Sequence, residues 1–154
     1  MAVNSYAKVN LYLKIGKKLG SGYHNLQSVM QRIELGDNMT FEPISEDRII
    51  VESTNMEISN EENLAYKAAL LLKKKYKVKH GVRIHIEKNV PLEAGLGGGS
   101  SNAATTLLNL NKLWGLKLKE KPLIELASQI GSDVPFFTGE NAALVEGIGD
   151  KIKW

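Results

Sequence analysis

Hydrophobic and polar residues alternate strictly through the segment AKVNLYLKI, with Val9, Leu11, Leu13 and Ile15 on one side and Lys8, Asn10, Tyr12 and Lys14 on the other. A period of two sends successive side chains to opposite faces, which predicts a half-buried strand with Lys8 and Asn10 turned away from the core. The turn-rich GSGYHN follows, and LQSVMQRIEL predicts a second strand. MTFEPI and RIIVES predict two further short strands divided by a polar turn at 45–47. VRIHIEK alternates again, with Val82, Ile84 and Ile86 inward, and AALVEGI predicts a last strand.

Elsewhere the period lengthens. Asn63 stands like an N-cap before a helix that runs to about Tyr76. Ala103, Leu107, Leu110 and Trp114 predict a helix from about Asn102 to Trp114 with Trp114 in the core. Leu123, Leu126, Ala127 and Ile130 repeat at i, i+3, i+4 and i+7, which predicts a third helix over Pro122–Ile130, Pro fitting the first turn. GSDVPFFTGEN predicts a loop. Strands dominate early and helices enter later, which is an α+β pattern rather than regular βα alternation.

The chain has 154 residues, 43% hydrophobic and 24% charged, the balance of a single globular domain. There is no cysteine, no apolar run of membrane-spanning length and no signal-like N-terminus, so the expected setting is cytoplasmic and free of membrane contact. The net charge of +3 suits an anionic ligand, and the densest basic run is LKKKYKVKH. That run closes a helix, where cations favour the macrodipole, and Tyr76 alone offers a stacking surface. A solvated helix end fits it better than a nucleic-acid patch.

VPLEAGLGGGSSNAA carries the strongest chemical signal. Glycines between a strand and a helix let successive backbone N–H groups form an anion-binding concavity, to which the helix terminus adds partial positive charge. A Walker loop requires a lysine after its last glycine, but Ser100 follows Gly99 directly. The dinucleotide fingerprint requires glycine at the sixth place, which is Ser100 counted from Gly95 and Asn102 counted from Gly97. A phosphate loop of another class remains. Ser100 and Ser101 are free to bind phosphate or a phosphate-bound Mg²⁺, or to cap the helix.

In GSDVPFF, Asp133 lies among apolar residues that would exclude water, a setting suited to a catalytic carboxylate. Read from this segment alone it fits a turn cap better. Lys8 is equally ambiguous, since half the lysines of any strand face solvent. Tyr23 and His24 could stack on a base or pin their loop, and His80 and His85 are too isolated for a metal site.

Taken in order, AKVNLYLKI, GYHNLQSV, EENLAYKAALLL, VPLEAGLGGGSSNAATTLLNLNKLW, GSDVPFF and AALVEGIGDKI resemble the 4-diphosphocytidyl-2-C-methyl-D-erythritol kinase family of the GHMP kinase superfamily, from Ala7 to Ile152. The resemblance implies an α+β fold, a ribosomal-protein-like two-layer sandwich with a mixed sheet and its helices on one face. It implies ATP-dependent phosphorylation of a hydroxyl of CDP-methylerythritol, with Mg²⁺, on a route to isoprenoid precursors. The implied ATP loop comprises Pro91, Leu92, Glu93, Ala94, Gly95, Leu96, Gly97, Gly98, Gly99, Ser100 and Ser101, with Asn63 and Lys88 as further nucleotide contacts. Asp133 is the implied base, and Lys8 beside it helps keep it ionised and polarises the nucleophile. Asn10, Tyr23 and His24 are the implied substrate contacts, the last two near the cytosine.

The sequence departs from that family where Ser21 and Gly22 precede Tyr23 in place of the usual Asp, and where Lys18 stands for the usual Arg. Family members are about twice this long, so residues 1–154 correspond to the N-terminal ATP-binding domain, with a C-terminal domain expected outside this chain. The competing expectation is a binding module without catalysis, for RNA or a dinucleotide, using the Lys73–Lys79 run.

Overall fold

A computed structural model describes residues 2–18, 20, 22, 24–54, 62–149 and 151–154. Among these described residues six strands form one sheet: β1 (Ala2–Lys18), β2 (His24–Ile44), β3 (Ile49–Ser53), β4 (Gly81–Glu87), β5 (Ala142–Gly147) and β6 (Lys151–Lys153). The same residues form three helices, α1 (Leu64–Lys75), α2 (Gly98–Leu113) and α3 (Glu120–Ile130), and a 3₁₀ turn at Pro135–Thr138. The sheet order is β3-β4-β2-β5-β6, with β1 antiparallel to β2 along nearly its whole length. β4 pairs with the second half of β2 and β5 with the first half. Among the described residues only β3 and β4 run parallel, joined by α1 as a single βαβ crossover. The mixed α+β sheet is as expected.

Burial shows which face is covered. Met39 and Phe41 of β2 and Val82, Ile84 and Ile86 of β4 are buried, while Thr40, Glu42, Arg83 and Glu87 between them are exposed. The inward set meets Leu72 of α1, Leu107 and Leu110 of α2 and Leu126 of α3. Each such side chain contributes about 1.5–3 kcal/mol on burial. Asn63 accepts a hydrogen bond from the Ala65 N–H at 2.9 Å and starts α1 as expected. Among the described residues no helix is long and apolar enough to cross a membrane.

Several boundaries differ from expectation, each for a local reason. The segments expected as two strands at 26–35 and 39–44 are one strand, β2, because β1 pairs with both across an irregular stretch at 33–35. A 3₁₀ turn forms where a plain loop is expected, with Pro135 in its first turn and Phe136 and Phe137 buried. β6, too short to leave a periodic signal, adds an edge to β5. Trp114 is half-buried at the end of α2, with the Lys73 ammonium 6.0 Å from its ring centre, rather than enclosed in the core.

The largest correction concerns β1. Leu11, Leu13 and Ile15, expected inward, are 67, 52 and 66% exposed, while Lys8, expected outward, is 5% exposed. Register shifts between Tyr6 and Lys8 and between Asn10 and Tyr12 break the strict alternation. A bulge of this kind re-aims every side chain beyond it. Ser5, Lys8, Asn10, Leu13 and Ile15 thereby come to one side of the hairpin, although their numbers do not alternate. In β2 the buried set changes from Ser28 and Met30 to Asp37, Met39 and Phe41 across the matching irregularity.

Candidate active site

Between β4 and α2 the chain makes the glycine loop. Gly95 and Gly97 have φ of 72° and 70°, the left-handed region in which a side chain is strained. A Cβ on Gly97 would also lie 2.9 Å from Phe137 Cζ and 3.2 Å from Lys8 Cε. α2 begins at Gly98, four residues before the start expected from glycine's poor helix propensity. Tertiary hydrogen bonds from Ser101 and Asn102 hold that first turn in place.

The helix has no side-chain cap, since Gly97 occupies that position, and the Ser101 N–H to Gly97 carbonyl bond of 2.8 Å is already its first. The N–H groups of Gly98, Gly99 and Ser100 therefore have no intrahelical acceptor and remain for a ligand. A cleft of about 390 Å³ opens above them, lined by Lys8, Leu64, Lys88 and Asp133 with the loop residues Pro91, Leu92, Glu93, Ala94, Gly95, Leu96, Gly97, Gly98, Gly99 and Ser100. Ser101 does not line it: its hydroxyl is buried against that of Ser5, at 2.8 Å. Of the two serines, only Ser100 faces this cleft.

Lys8 runs under the loop. Its backbone N–H donates to the Leu96 carbonyl at 2.9 Å, which ties β1 to the loop through the main chain. Its ammonium donates to Asn10 Oδ1 at 2.6 Å and stands 3.4 Å from Asp133 Oδ2. Asn10 Nδ2 donates to Ser28 Oγ at 2.6 Å, and Ser28 donates to the Tyr12 carbonyl at 2.7 Å. That last bond makes Ser28 an acceptor toward Asn10, so the Asn10 amide oxygen faces the lysine. Asp133 sits in the turn between α3 and the 3₁₀ segment, with its side chain 31% exposed.

A second cleft of about 340 Å³ lies on the far side of this pair. Lys8, Asn10, His24, Ser132 and Asp133 form its polar part; Leu13, Ile15, Leu26, Met30 and Ile148 form the apolar part. Lys8 and Asp133 line both clefts. The structure thus gathers Lys8, Asp133, Asn10, His24 and the glycine loop around one point. Tyr23 and Ser21 lie outside the described residues. Asn63 spends its side-chain oxygen on capping α1, beside Leu64 at the rim. Lys88 reaches the first cleft from below, its ammonium paired with Asp37.

Sequence reasoning missed Ser28, Asp37 and Arg32. Arg32 donates to the Phe137 carbonyl at 2.5 Å and lies 5.9 and 6.0 Å from the ring centres of Phe136 and Phe137, pinning the segment that follows Asp133. Burial lowers its pKa from the ordinary guanidinium value. The one available signal was the charge of Arg32 and Asp37 inside apolar strand sequence.

The GHMP kinases N terminal domain model matches residues 63–140. Over 153 residues the chain is 48% identical to 4-diphosphocytidyl-2-C-methyl-D-erythritol kinase of Caldicellulosiruptor saccharolyticus, covering 99% of this chain and 53% of the relative. The enzyme of that name from Clostridioides difficile is 46% identical over 151 residues, covering 97% of this chain and 51% of its own. A crystal structure of 4-(cytidine 5'-diphospho)-2C-methyl-D-erythritol kinase superposes with a TM-score of 0.84 at 38% identity, covering 99% of this chain and 54% of that one. The mevalonate kinase of Methanococcus jannaschii, 16% identical over 99% of this chain and 55% of its own, has a TM-score of 0.74 and shares the fold. The chain spans about half the length of the curated relatives it matches. With the loop, the mixed sheet and the matched region in agreement, the chain belongs to the GHMP kinase family.

Proposed function

We propose that this chain is the ATP-binding N-terminal domain of a kinase that phosphorylates a hydroxyl of 4-diphosphocytidyl-2-C-methyl-D-erythritol. The activity belongs to the longer protein, in which a C-terminal domain supplies the remaining substrate wall. The observation that carries this reading is the Lys8–Asp133 pair, which lines both clefts at once. A phosphate donor in the glycine-loop cleft and an alcohol in the other would meet at that pair.

ATP fits the first cleft by the shape of the loop: a Cβ at Gly97 would collide with Phe137 and Lys8, so the backbone there stays bare, and the uncapped N–H groups of α2 face anionic oxygens without a competing side chain. Among the described residues no cluster of three or more acidic or histidine side chains is assembled. Mg²⁺ at a phosphoryl-transfer site takes most of its oxygens from phosphate and water, and here the Ser100 hydroxyl and the Asp133 carboxylate, which line the same cleft, would hold it. When bound, the ion neutralises charge on the phosphates.

Asp133 Oδ accepts the proton of the substrate hydroxyl as the oxygen turns toward phosphorus. The Lys8 ammonium, fixed by Asn10 and by its own backbone bond to the loop, holds Asp133 in place and stabilises charge on the nucleophile. Asn10 and His24 face the alcohol-binding cleft; Tyr23 is assigned to it by its neighbour alone. Asn63 contributes by setting the start of α1 at the cleft rim, and Lys88 by supporting the loop. A cytoplasmic setting agrees with the cysteine-free sequence.

The Lys73–Lys79 run gives no support to an RNA-binding reading. Lys73 pairs with Asp47 and donates to the carbonyls of Val78 and His80 at 3.0 and 2.7 Å, which folds the run onto the end of α1. The decisive experiment is a phosphotransfer assay with ATP, Mg²⁺ and CDP-methylerythritol, run on this chain and on the chain joined to a C-terminal half from a relative. Transfer by the joined protein supports the reading. Failure of the joined protein to transfer, with nucleotide bound, refutes it.

A further inference from the structure

Asp37 of β2 is wholly buried, and a buried carboxylate is unfavourable unless its lone pairs are used. All of them are. Oδ1 accepts from the N–H groups of Asn89 and Val90, each at 2.8 Å. Oδ2 accepts from Asn102 Nδ2 at 2.9 Å and pairs with the Lys88 ammonium. Lys88 in turn donates to Asn102 Oδ1 at 3.1 Å. Asn102 Nδ2 also donates to Ser5 Oγ at 3.0 Å, which brings β1 into the same network.

The placement of these partners along the chain gives the carboxylate its meaning. Asn89 and Val90 stand immediately before the glycine loop, and Asn102 immediately follows its last serine. One buried side chain therefore grips the chain where it enters the loop and where it leaves. Lys88 Nζ lies 3.5 Å from the point where a Cβ on Gly98 would stand, beneath the first residue of α2.

We propose that Asp37 is a positioning residue for the phosphate loop: it clamps both ends and holds the Lys88 ammonium under the helix start. This inference rests on the proposed function for the identity of the anion, a nucleotide phosphate. It makes a prediction opposite in sign to simple charge counting. Removing a negative charge near a phosphate site should tighten phosphate binding through Coulomb attraction. Loss of the clamp should weaken it, because an amide in place of the Asp37 carboxylate would set a donor against Lys88 and Asn102 and release the loop.

The test is Asp37→Asn in this chain, titrated with Mg-ATP and with adenosine, together with hydrogen exchange of the loop amides without ligand. The clamp predicts Mg-ATP affinity about tenfold weaker, adenosine affinity unchanged, and faster exchange over 91–98 with β4 amides still protected. Equal or tighter Mg-ATP binding, or unchanged loop exchange, overturns it. So does an equal loss of both ligands with β4 exposed, which marks a purely structural residue. If Asp37→Asn does not fold, Asn102→Ala frees the loop exit and leaves the ion pair; it must show the same ATP-selective loss, and unchanged Mg-ATP affinity overturns the clamp. Should the unaltered chain bind neither ligand, the nucleotide-binding reading fails, while the exchange comparison still decides whether Asp37 holds the loop.

Discussion

Two lysine–aspartate pairs flank the glycine loop, and they do opposite things. Lys88 and Asp37 form a closed pair, with 9 and 0% of their side chains accessible. Every oxygen lone pair of Asp37 is spent on a protein donor. Lys8 and Asp133 form an open pair: the lysine is buried and fixed, but the aspartate is 31% exposed and faces two clefts. A carboxylate with unused lone pairs at the meeting of two cavities can take a proton from a ligand. One saturated by backbone and amide donors can only hold things in place. Charge and residue type are the same in both pairs; the number of free acceptor positions separates chemistry from architecture.

That comparison breaks most sharply at Asp133. Asp133→Ala in the joined, two-domain protein should lower kcat by about 10³-fold or more, the loss expected of a general base, with Mg-ATP affinity within a few-fold of the original. Steady-state kinetics with equilibrium nucleotide titration checks it, and retained turnover would remove Asp133 from its role.

Stability should distinguish the lysines in the reverse sense. Lys88→Met leaves Asp37 buried without its cation and should cost about 3–5 kcal/mol in urea unfolding. Lys8→Met leaves Asp133 in contact with water and should cost clearly less. Equal losses would mean that the pairs are not different in kind.

Gly97→Ala should follow, with a strain of about 1–2 kcal/mol from its left-handed backbone plus the encounter with Phe137 and Lys8, read as a lower melting temperature and weaker Mg-ATP binding. The serines give a smaller and cleaner contrast. Ser101→Ala removes a buried hydroxyl pair and should cost about 1 kcal/mol of stability. Ser100→Ala should leave stability alone and weaken nucleotide binding.

The smallest effect belongs to a third lysine–aspartate pair, Lys73 with Asp47. The hydrogen bond from Lys73 holds the exposed Asp47 carboxyl below its ordinary value. A lowered folded-state pKa stabilises above the unfolded value and is lost as pH falls through the folded one. Asp47→Asn should therefore remove a slight stability advantage at neutral pH and none in acid, where the two proteins should unfold alike.

Much of this was legible along the chain. The inward faces of β4 and of the helices follow from periodicity, and Asn63 caps α1 as its position suggests. The glycine loop was legible as a backbone feature, since glycines clustered between a strand and a helix point to left-handed turns, and Gly95 and Gly97 do take positive φ. The face on which Lys8 lies was not legible. Alternation holds only while the register is even, and the register shifts between β1 and β2 depend on how many residues each strand places opposite the other. The start of α2 was hidden because tertiary hydrogen bonds override glycine's low helix propensity there. Asp37 could not be recognised because its partners come from 89, 90, 102 and 88, which meet only in the folded sheet.

The hairpin of β1 and β2 behaves like text with a reading frame. Downstream of Leu11, which side chains enter the second cleft depends on a count of residues rather than on their chemistry. Inserting one residue between Leu11 and Tyr12 would exchange Leu13 and Ile15 for Tyr12 and Lys14 there, turning an apolar wall into a polar one without altering any residue that lines it now. Deleting Leu11, the unpaired residue of the bulge, would leave Leu13 and Ile15 in place. Substitutions along this arm should be well tolerated, while single-residue insertions should not.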